Sequence, residues 1–323
     1  MKPSEILAQI EKPILNSLLK KSDSQAFSIL AFNYLIIGSC FASVILLPQI
    51  WVWIPAAAIL AGRQLGLAIL MHDCAHQAFF NTTSFNKFFG RWFCAAPVLA
   101  DLDRYRTYHL EHHRTAGSEA DPDRSNYVGY PVSGTSLKRK FFRDMIGLTG
   151  IKIFAIVIKM NAGTVAYQLA YDQNKMNTLL PFSTQLKNIF LGLYPTLLFH
   201  MIFFATLKIS GNPSAYMLWW VAWFTFYMAF SRLRNAAEHG ATPDINDLNP
   251  IKNTRTTLAA WWERLFVAPN YVNFHLEHHF LPTVPSYHLP QFHHILKTNG
   301  ILKDSKIATG YIDVLRDLKI TSG

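Results

Sequence analysis

Four apolar runs set what this chain can fold into. They extend over about Phe27–Leu47, Trp51–Met71, Ile189–Leu207 and Ala215–Phe230. A bilayer core takes about 20 apolar residues in helical form, because backbone N–H and C=O groups meet no water there. The first and second runs are separated by only a few residues, as are the third and fourth, so the spans pair into two hairpins. Composition agrees. Half of the 323 residues are hydrophobic and 15% are charged, against about 25% in an ordinary soluble chain. The expected fold is an all-α integral membrane protein: four transmembrane helices in two hairpins, carrying a cytoplasmic helical cap, within one domain over residues 1–323. The first run starts too late and is too long for a secretory leader.

The formal net charge of +10 does not signal nucleic acid, because Lys and Arg form no basic face interleaved with aromatics. Nearly all of them sit outside the apolar runs, in the N-terminal tail (Lys2, Lys12, Lys20, Lys21) and in segments 72–188 and 231–323, while the short links hold only Lys208. The positive-inside rule puts all three segments in the cytoplasm. Four spans return both ends to that side. The expected location is a multi-pass membrane protein, in the inner membrane if the cell is bacterial. Two weaker stretches, Phe88–Ala100 and Phe141–Ala170, are too short or too interrupted by charge to cross, and read as interfacial or re-entrant helices. Arg63 and Gln64 inside the second span are expected to face the bundle interior and find polar partners. Cys40, Cys74 and Cys94 are too few and scattered for a disulfide framework or a CxxC zinc site.

Nine of the thirteen histidines fall in four clusters: His72 and His76; His109, His112 and His113; His239; and His275, His278 and His279. The second and last clusters both read HLEHH. Residues three and four apart share one face of a helix, so each box aims its imidazoles in one direction, as metal binding requires. All four clusters lie on the side expected to be cytoplasmic, and nine imidazoles call for two ions rather than one. Imidazole suits zinc, copper, iron and nickel alike, and it binds only when neutral. Cys74 inside the first box offers a soft ligand that the imidazoles make unnecessary. His200 lies within the third run and reads as structural; His288, His293 and His294 do not repeat the box spacing. Asp73, Glu111, Glu238 and Glu277 adjoin ligands in sequence, and Asp121 and Asp123 follow the second box. All six are candidates to accept the outer ring N–H of a ligating histidine. For Asp121 and Asp123 a turn or helix cap is an equal reading.

The boxes HDCAH (72–76), HLEHH (109–113) with DPD after it, and NFHLEHHFLPTVP (273–285) resemble those of the membrane fatty acid desaturase family. The resemblance covers about residues 27–296. It implies a di-iron centre held by the nine histidines on the cytoplasmic side, with Asn235, four residues before His239, reaching metal through a water. It also implies O2 as co-substrate and an external electron donor of ferredoxin or cytochrome b5 type. The substrate would be a lipid or acyl chain entering from the bilayer, with the aromatics Phe79, Phe80, Tyr105, Tyr108, Trp261, Trp262 and Phe274 as candidate lining of its cleft. The third box begins with His275 rather than glutamine and there is no HPGG motif, which separates the chain from cytochrome-fused front-end desaturases. The EHxxGHH pattern of alkane hydroxylases is also missing. Carotenoid hydroxylases and ketolases share the box layout, so action on another apolar substrate stays open. A metal transporter or haem redox subunit would place ligands inside the spans, where only His200 lies.

Overall fold

The structure, a computed structural model, describes residues 7–168 and 180–320. Lys2 and the last two residues of the 141–170 stretch lie outside it. The protein is mostly helical: α1 Lys12–Leu18, α2 Asp23–Leu46, α3 Ile50–Ala75, α4 Thr83–Phe89, α5 Leu102–Thr115, α6 Gly134–Met145, α7 Leu148–Ala162, α8 Phe182–Ile209, α9 Met217–Phe224, α10 Phe226–His239, α11 Pro250–Asn253, α12 Trp261–Phe266, α13 His275–Phe280, α14 Leu289–Thr298 and α15 Tyr311–Asp317.

Helices α2, α3 and α8 are each long and apolar enough to cross a membrane. Helix α2 begins four residues ahead of its apolar run, because Ser22 caps it by accepting from the Gln25 N–H. Cap chemistry sets a helix start, not hydropathy. The fourth run behaves differently from a continuous span. It divides into a 3₁₀ turn (Pro213–Tyr216), α9 and α10, with Thr225 at φ −114°, ψ −89° between the last two. Helix α7 backs onto this break. A Cβ on Gly150 would stand 2.6 Å from the Phe224 carbonyl oxygen, so the glycine lets the two backbones touch. Hydropathy reads side chains and is blind to such a break. Of the weaker stretches, Phe88–Ala100 becomes the end of α4, a π turn (Gly90–Ala95) and a 3₁₀ turn (Ala96–Val98).

Helix α3 is the central post. It packs against α2, the π turn, α5, α9, α10 and α12, and most of its length is buried. Its polar residues bind other elements. Gln64 Nε2 donates to the Trp219 carbonyl at 2.9 Å. Arg63 Nη2 donates to the carbonyls of Arg264 and Leu265, both at 2.8 Å, at the end of α12. Asn270 donates to the Gly66 carbonyl at 2.9 Å and accepts from Asn33 of α2 at 3.2 Å. Arg63 therefore faces inward, and its guanidinium anchors the segment that leads into the third histidine box.

The expectation of an all-helical chain misses one small sheet. Strands β1 (Arg255–Thr257) and β2 (Lys306–Ala308) pair in parallel, with Arg255 opposite Lys306. Three residues per strand leave no alternation to read. The buried Arg255 of β1 donates to the carbonyls of Ala237 and Ala241 at 2.9 and 3.2 Å, which caps the end of α10 where His239 sits.

Gly62 tests how closely α12 must approach α3. A Cβ there would lie 2.1 Å from the Leu265 carbonyl oxygen. Gly62→Val should cost about 1–3 kcal/mol or more, as overpacking does, and should displace the Arg63 anchor. Thermal unfolding of the detergent-solubilised variant measures the loss.

Candidate metal centre

Four elements bring the nine imidazoles together. Helix α3 supplies His72 from its last turn, and its C-cap is His76. Helix α5 starts cleanly because Asp101 accepts from the N–H groups of Asp103 and Arg104, and it carries His109, His112 and His113. Helix α10 ends on His239, and the six-residue α13 carries the last three.

The imidazoles form two foci. His72, His76, His109, His113 and His278 make one; His112, His239, His275 and His279 make the other, with ligand nitrogens in each group all within 4.8 Å of one another. Within the foci Nε2 atoms face Nε2 atoms. His278 stands 2.9 Å from His72 and 3.0 Å from His113, and His113 is 3.0 Å from His109. In the second focus His275 is 2.9 Å from His239 and 3.0 Å from His279. Two nitrogens that share one divalent ion at about 2.1 Å, at right angles, would stand about 3.0 Å apart.

The outer nitrogens show why a cation belongs there. His72 Nδ1 donates to Asp73 at 2.9 Å, His112 Nδ1 to Asp121 at 2.8 Å, and His239 Nδ1 to the Asn253 carbonyl at 2.9 Å. His275 Nδ1 is 3.3 Å from a Glu238 oxygen. A neutral ring that donates outward through Nδ1 presents a lone pair at Nε2. The Nε2 lone pairs of His72 and His239 thus face the Nε2 atoms of His278 and His275, each at 2.9 Å, and a positive ion between each pair would satisfy them. His76 Nε2 is buried without a hydrogen-bond partner, an orphan that metal would satisfy. The donor set fits two first-row ions, five nitrogens for one and four for the other.

The candidate outer acids divide by helix geometry. Asp73 and Asp121 accept from box histidines as above. The Asp123 carboxylate lies 3.8 Å from His112 Nδ1 and accepts from Tyr108 and from Asn126 Nδ2. Glu238 pairs with the half-buried Arg234 and faces His275. Two others are corrected. Glu111 turns to the exposed face of α5 and pairs with Arg114. Glu277 is buried but accepts from His293 Nδ1 at 2.6 Å and Thr256 Oγ1 at 2.7 Å, not from a box imidazole. Both occupy the middle position of HLEHH, about 200° around the helix from the first histidine, so both face away from the foci. For α5 that side is water; for α13 it is α14 and β1.

A cavity of about 60 Å³ opens beside the second focus, lined by His112, His239, His275, Asn235, Glu238 and Arg234 among others. That is room for water. Asn235 lies at its wall, its amide oxygen accepting from Arg234 Nη1 at 3.0 Å. Of the seven aromatics expected at a cleft, Tyr105 and Tyr108 line this cavity. Phe79, Phe80 and Phe274 are core, and Trp261 and Trp262 are exposed. Cys74 is buried and stands apart from both foci. His200 binds the Pro97 carbonyl and Tyr216, and His288 the Leu18 carbonyl. Sequence reasoning overlooked Tyr127, whose hydroxyl donates to Asp121 at 2.6 Å, along with Arg234, Asn253 and Arg255. None of them sits at box spacing, and only the tertiary fold reveals them.

Burial, reinforced by neighbouring imidazoles, pushes His109, His113, His275, His278 and His279 well below the ordinary histidine value. Burial first, with Arg106 and His112 adding to it, takes His76 down to about 3. Burial first, with His112 adding to it, takes His239 down to about 3. His112 moves the other way: burial opposes its charge, but the Asp121 hydrogen bond and the charges of Asp123, Asp121 and Glu238 outweigh it. Burial also lifts Glu238 to about 8, against the pull of Arg234.

An apolar helical frame of membrane-spanning length, with two foci of imidazoles suited to hold metal, defines the class: a membrane protein with a candidate metal centre. The chain matches the fatty acid desaturase family over residues 48–308, and it belongs to that family. It is thus an oxidoreductase of the fatty acid desaturase and hydroxylase kind. It is also similar to a dihydrorhizobitoxine desaturase of Bradyrhizobium elkanii, 25% identical over 262 residues, covering 79% of this chain and 70% of that protein.

The depressed histidines make a pH prediction for metal-free protein. Below about pH 6.5 the unfolded chain takes up protons that the folded foci refuse. Stability should therefore fall steadily as pH drops from 7 towards 4, and added metal should raise it most at neutral pH and less as protons compete for the imidazoles. Thermal unfolding across that range, with and without ferrous ion, checks it.

Proposed function

We infer that this protein is an O2-dependent di-iron desaturase that introduces a double bond into the acyl chain of a fatty acid or lipid. The carrying observation is the division of nine imidazoles, eight of them buried, into foci of five and four. His72, His76, His109, His113 and His278 would hold one iron. His112, His239, His275 and His279 would hold the other, with Asn235 contributing through a water in the adjoining cavity. Bound iron supplies O2 activation: two hydrogens leave adjacent carbons, two electrons arrive from a ferredoxin or cytochrome b5-type donor, and with two protons O2 leaves as two waters.

The chain's own residues position and protect. Asp73, Asp121 and the Asn253 carbonyl fix the tautomers of His72, His112 and His239. Glu238, with the half-buried Arg234 as its ion-pair partner, stands behind His275. Burial of both foci keeps bulk water from the reacting carbons. Helices α9 and α10 together would complete a fourth crossing, and the positive-inside pattern supports a cytoplasmic position for the foci. The name of the Bradyrhizobium relative supports desaturation over hydroxylation.

Expression in a host without the activity, followed by mass spectrometry that localises double bonds, tests the reading. New unsaturated acyl chains are expected; unchanged lipids with an oxygenated product would replace it with a hydroxylase or ketolase. Purified protein should hold about two irons per chain and show no haem absorbance. His112→Ala should abolish turnover with membrane insertion intact. Asp121→Asn should lower activity or iron affinity about 10- to 100-fold, as loss of an outer carboxylate does. Glu111→Gln, altering only the exposed Arg114 pair, should leave both within about twofold.

A further inference from the structure

A second polar recess lies away from the histidine foci. Ser125, Lys140, Arg143, Thr149, Lys152 and Arg232 line a cavity of about 230 Å³ between α6, α7 and α10. Four of the six are cations. The acid facing them is Asp144, buried on α6, and it is already engaged: Arg232 grips it through Nε and Nη2, and Thr149 donates to it. Lys140, Arg143 and Lys152 pair with no carboxylate among the described residues. Lys140 lies over the Tyr130 ring at 5.8 Å. Burial, then the charge of Arg232, holds its ammonium below the ordinary lysine value, with Asp144 opposing.

The surroundings point to the occupant. The same two helices and their link expose Phe142, Met145, Ile146, Leu148, Ile151 and Phe154. Arg143 and Lys152 stand exposed within this apolar band. On a membrane protein, such a band beds into the headgroup–acyl boundary while basic side chains meet phosphates. The geometry points to this recess as a site for the phosphate of an anionic phospholipid, whose acyl chains lie along the exposed apolar residues of α6 and α7. Three uncommitted cations match the charge of a phosphate, and the Arg143 guanidinium suits its oxygens in a forked pair. The volume holds a headgroup rather than a chain. The site is separate from the metal foci, so it stands or falls independently of the desaturase reading.

The test uses the full-length protein in neutral detergent and reads binding, not turnover. Thermal shift is titrated with dihexanoyl phosphatidic acid, dihexanoyl phosphatidylcholine and inorganic phosphate. Three forms are compared: wild type, Arg143→Gln/Lys152→Gln, and a control, Lys297→Gln/Lys303→Gln, which removes two cations elsewhere. Both substituted pairs are exposed, and equal melting without lipid confirms that each variant folds. Phosphatidic acid should stabilise wild type and control alike. The Arg143/Lys152 variant should bind it at least roughly tenfold more weakly, the loss of a charge-assisted hydrogen bond or more. Phosphatidylcholine should have little effect on any form. Equal stabilisation of all three forms would overturn the site. Stabilisation by inorganic phosphate as strong as by phosphatidic acid would overturn the lipid assignment in favour of a free anion. So would a variant that binds lipid normally but loses affinity for an acidic electron-donor protein.

Discussion

Nine imidazoles, eight of them buried, with Nε2 atoms facing one another at about 3 Å, are the constraint that organises this molecule. A ring whose Nδ1 donates to Asp73, Asp121 or the Asn253 carbonyl cannot also donate through Nε2. The foci therefore hold buried acceptors that need a donor or a cation. The frame around them has to keep those acceptors close before metal satisfies them. The polar links from α3 to α12 and to Asn270 contribute to that frame, as does Arg255 at the end of α10. They hold the four histidine-bearing elements at fixed spacing.

Much of this was legible in residue order, for identifiable reasons. Metal boxes are local patterns, and HLEHH on a helix turns its imidazoles one way whatever surrounds it. Long apolar runs are local too, so α2, α3 and α8 were readable. The failures come where the answer depends on another part of the chain. The break at Thr225 is where Gly150 of α7 lies against Phe224, a contact between residues more than seventy positions apart. The parallel pairing of β1 with β2 joins residues some fifty positions apart.

The two HLEHH boxes show the same limit at one residue. Glu111 and Glu277 occupy identical positions in identical pentapeptides, yet one meets water and Arg114 while the other is buried against His293 and Thr256. Helical phase tells that both leave the foci. What lies on the far side is decided by packing, and there the local sequence is silent. Glu277 thereby brings His293, which does not belong to either focus, into the support of the third box.

The division of ligands between the foci also orders their assembly in time. The first focus draws four of its five histidines from residues before 114, whereas the second has only His112 from that half and takes the other three from residues 239–279. During synthesis, the first pocket is four-fifths present while most of the chain is still unmade. The second does not exist until the last sixth of the protein emerges. A nascent chain can thus offer a lone, nearly complete nest of imidazoles to any available ion well before the paired centre is possible. The two positions are therefore completed at different moments of the protein's making.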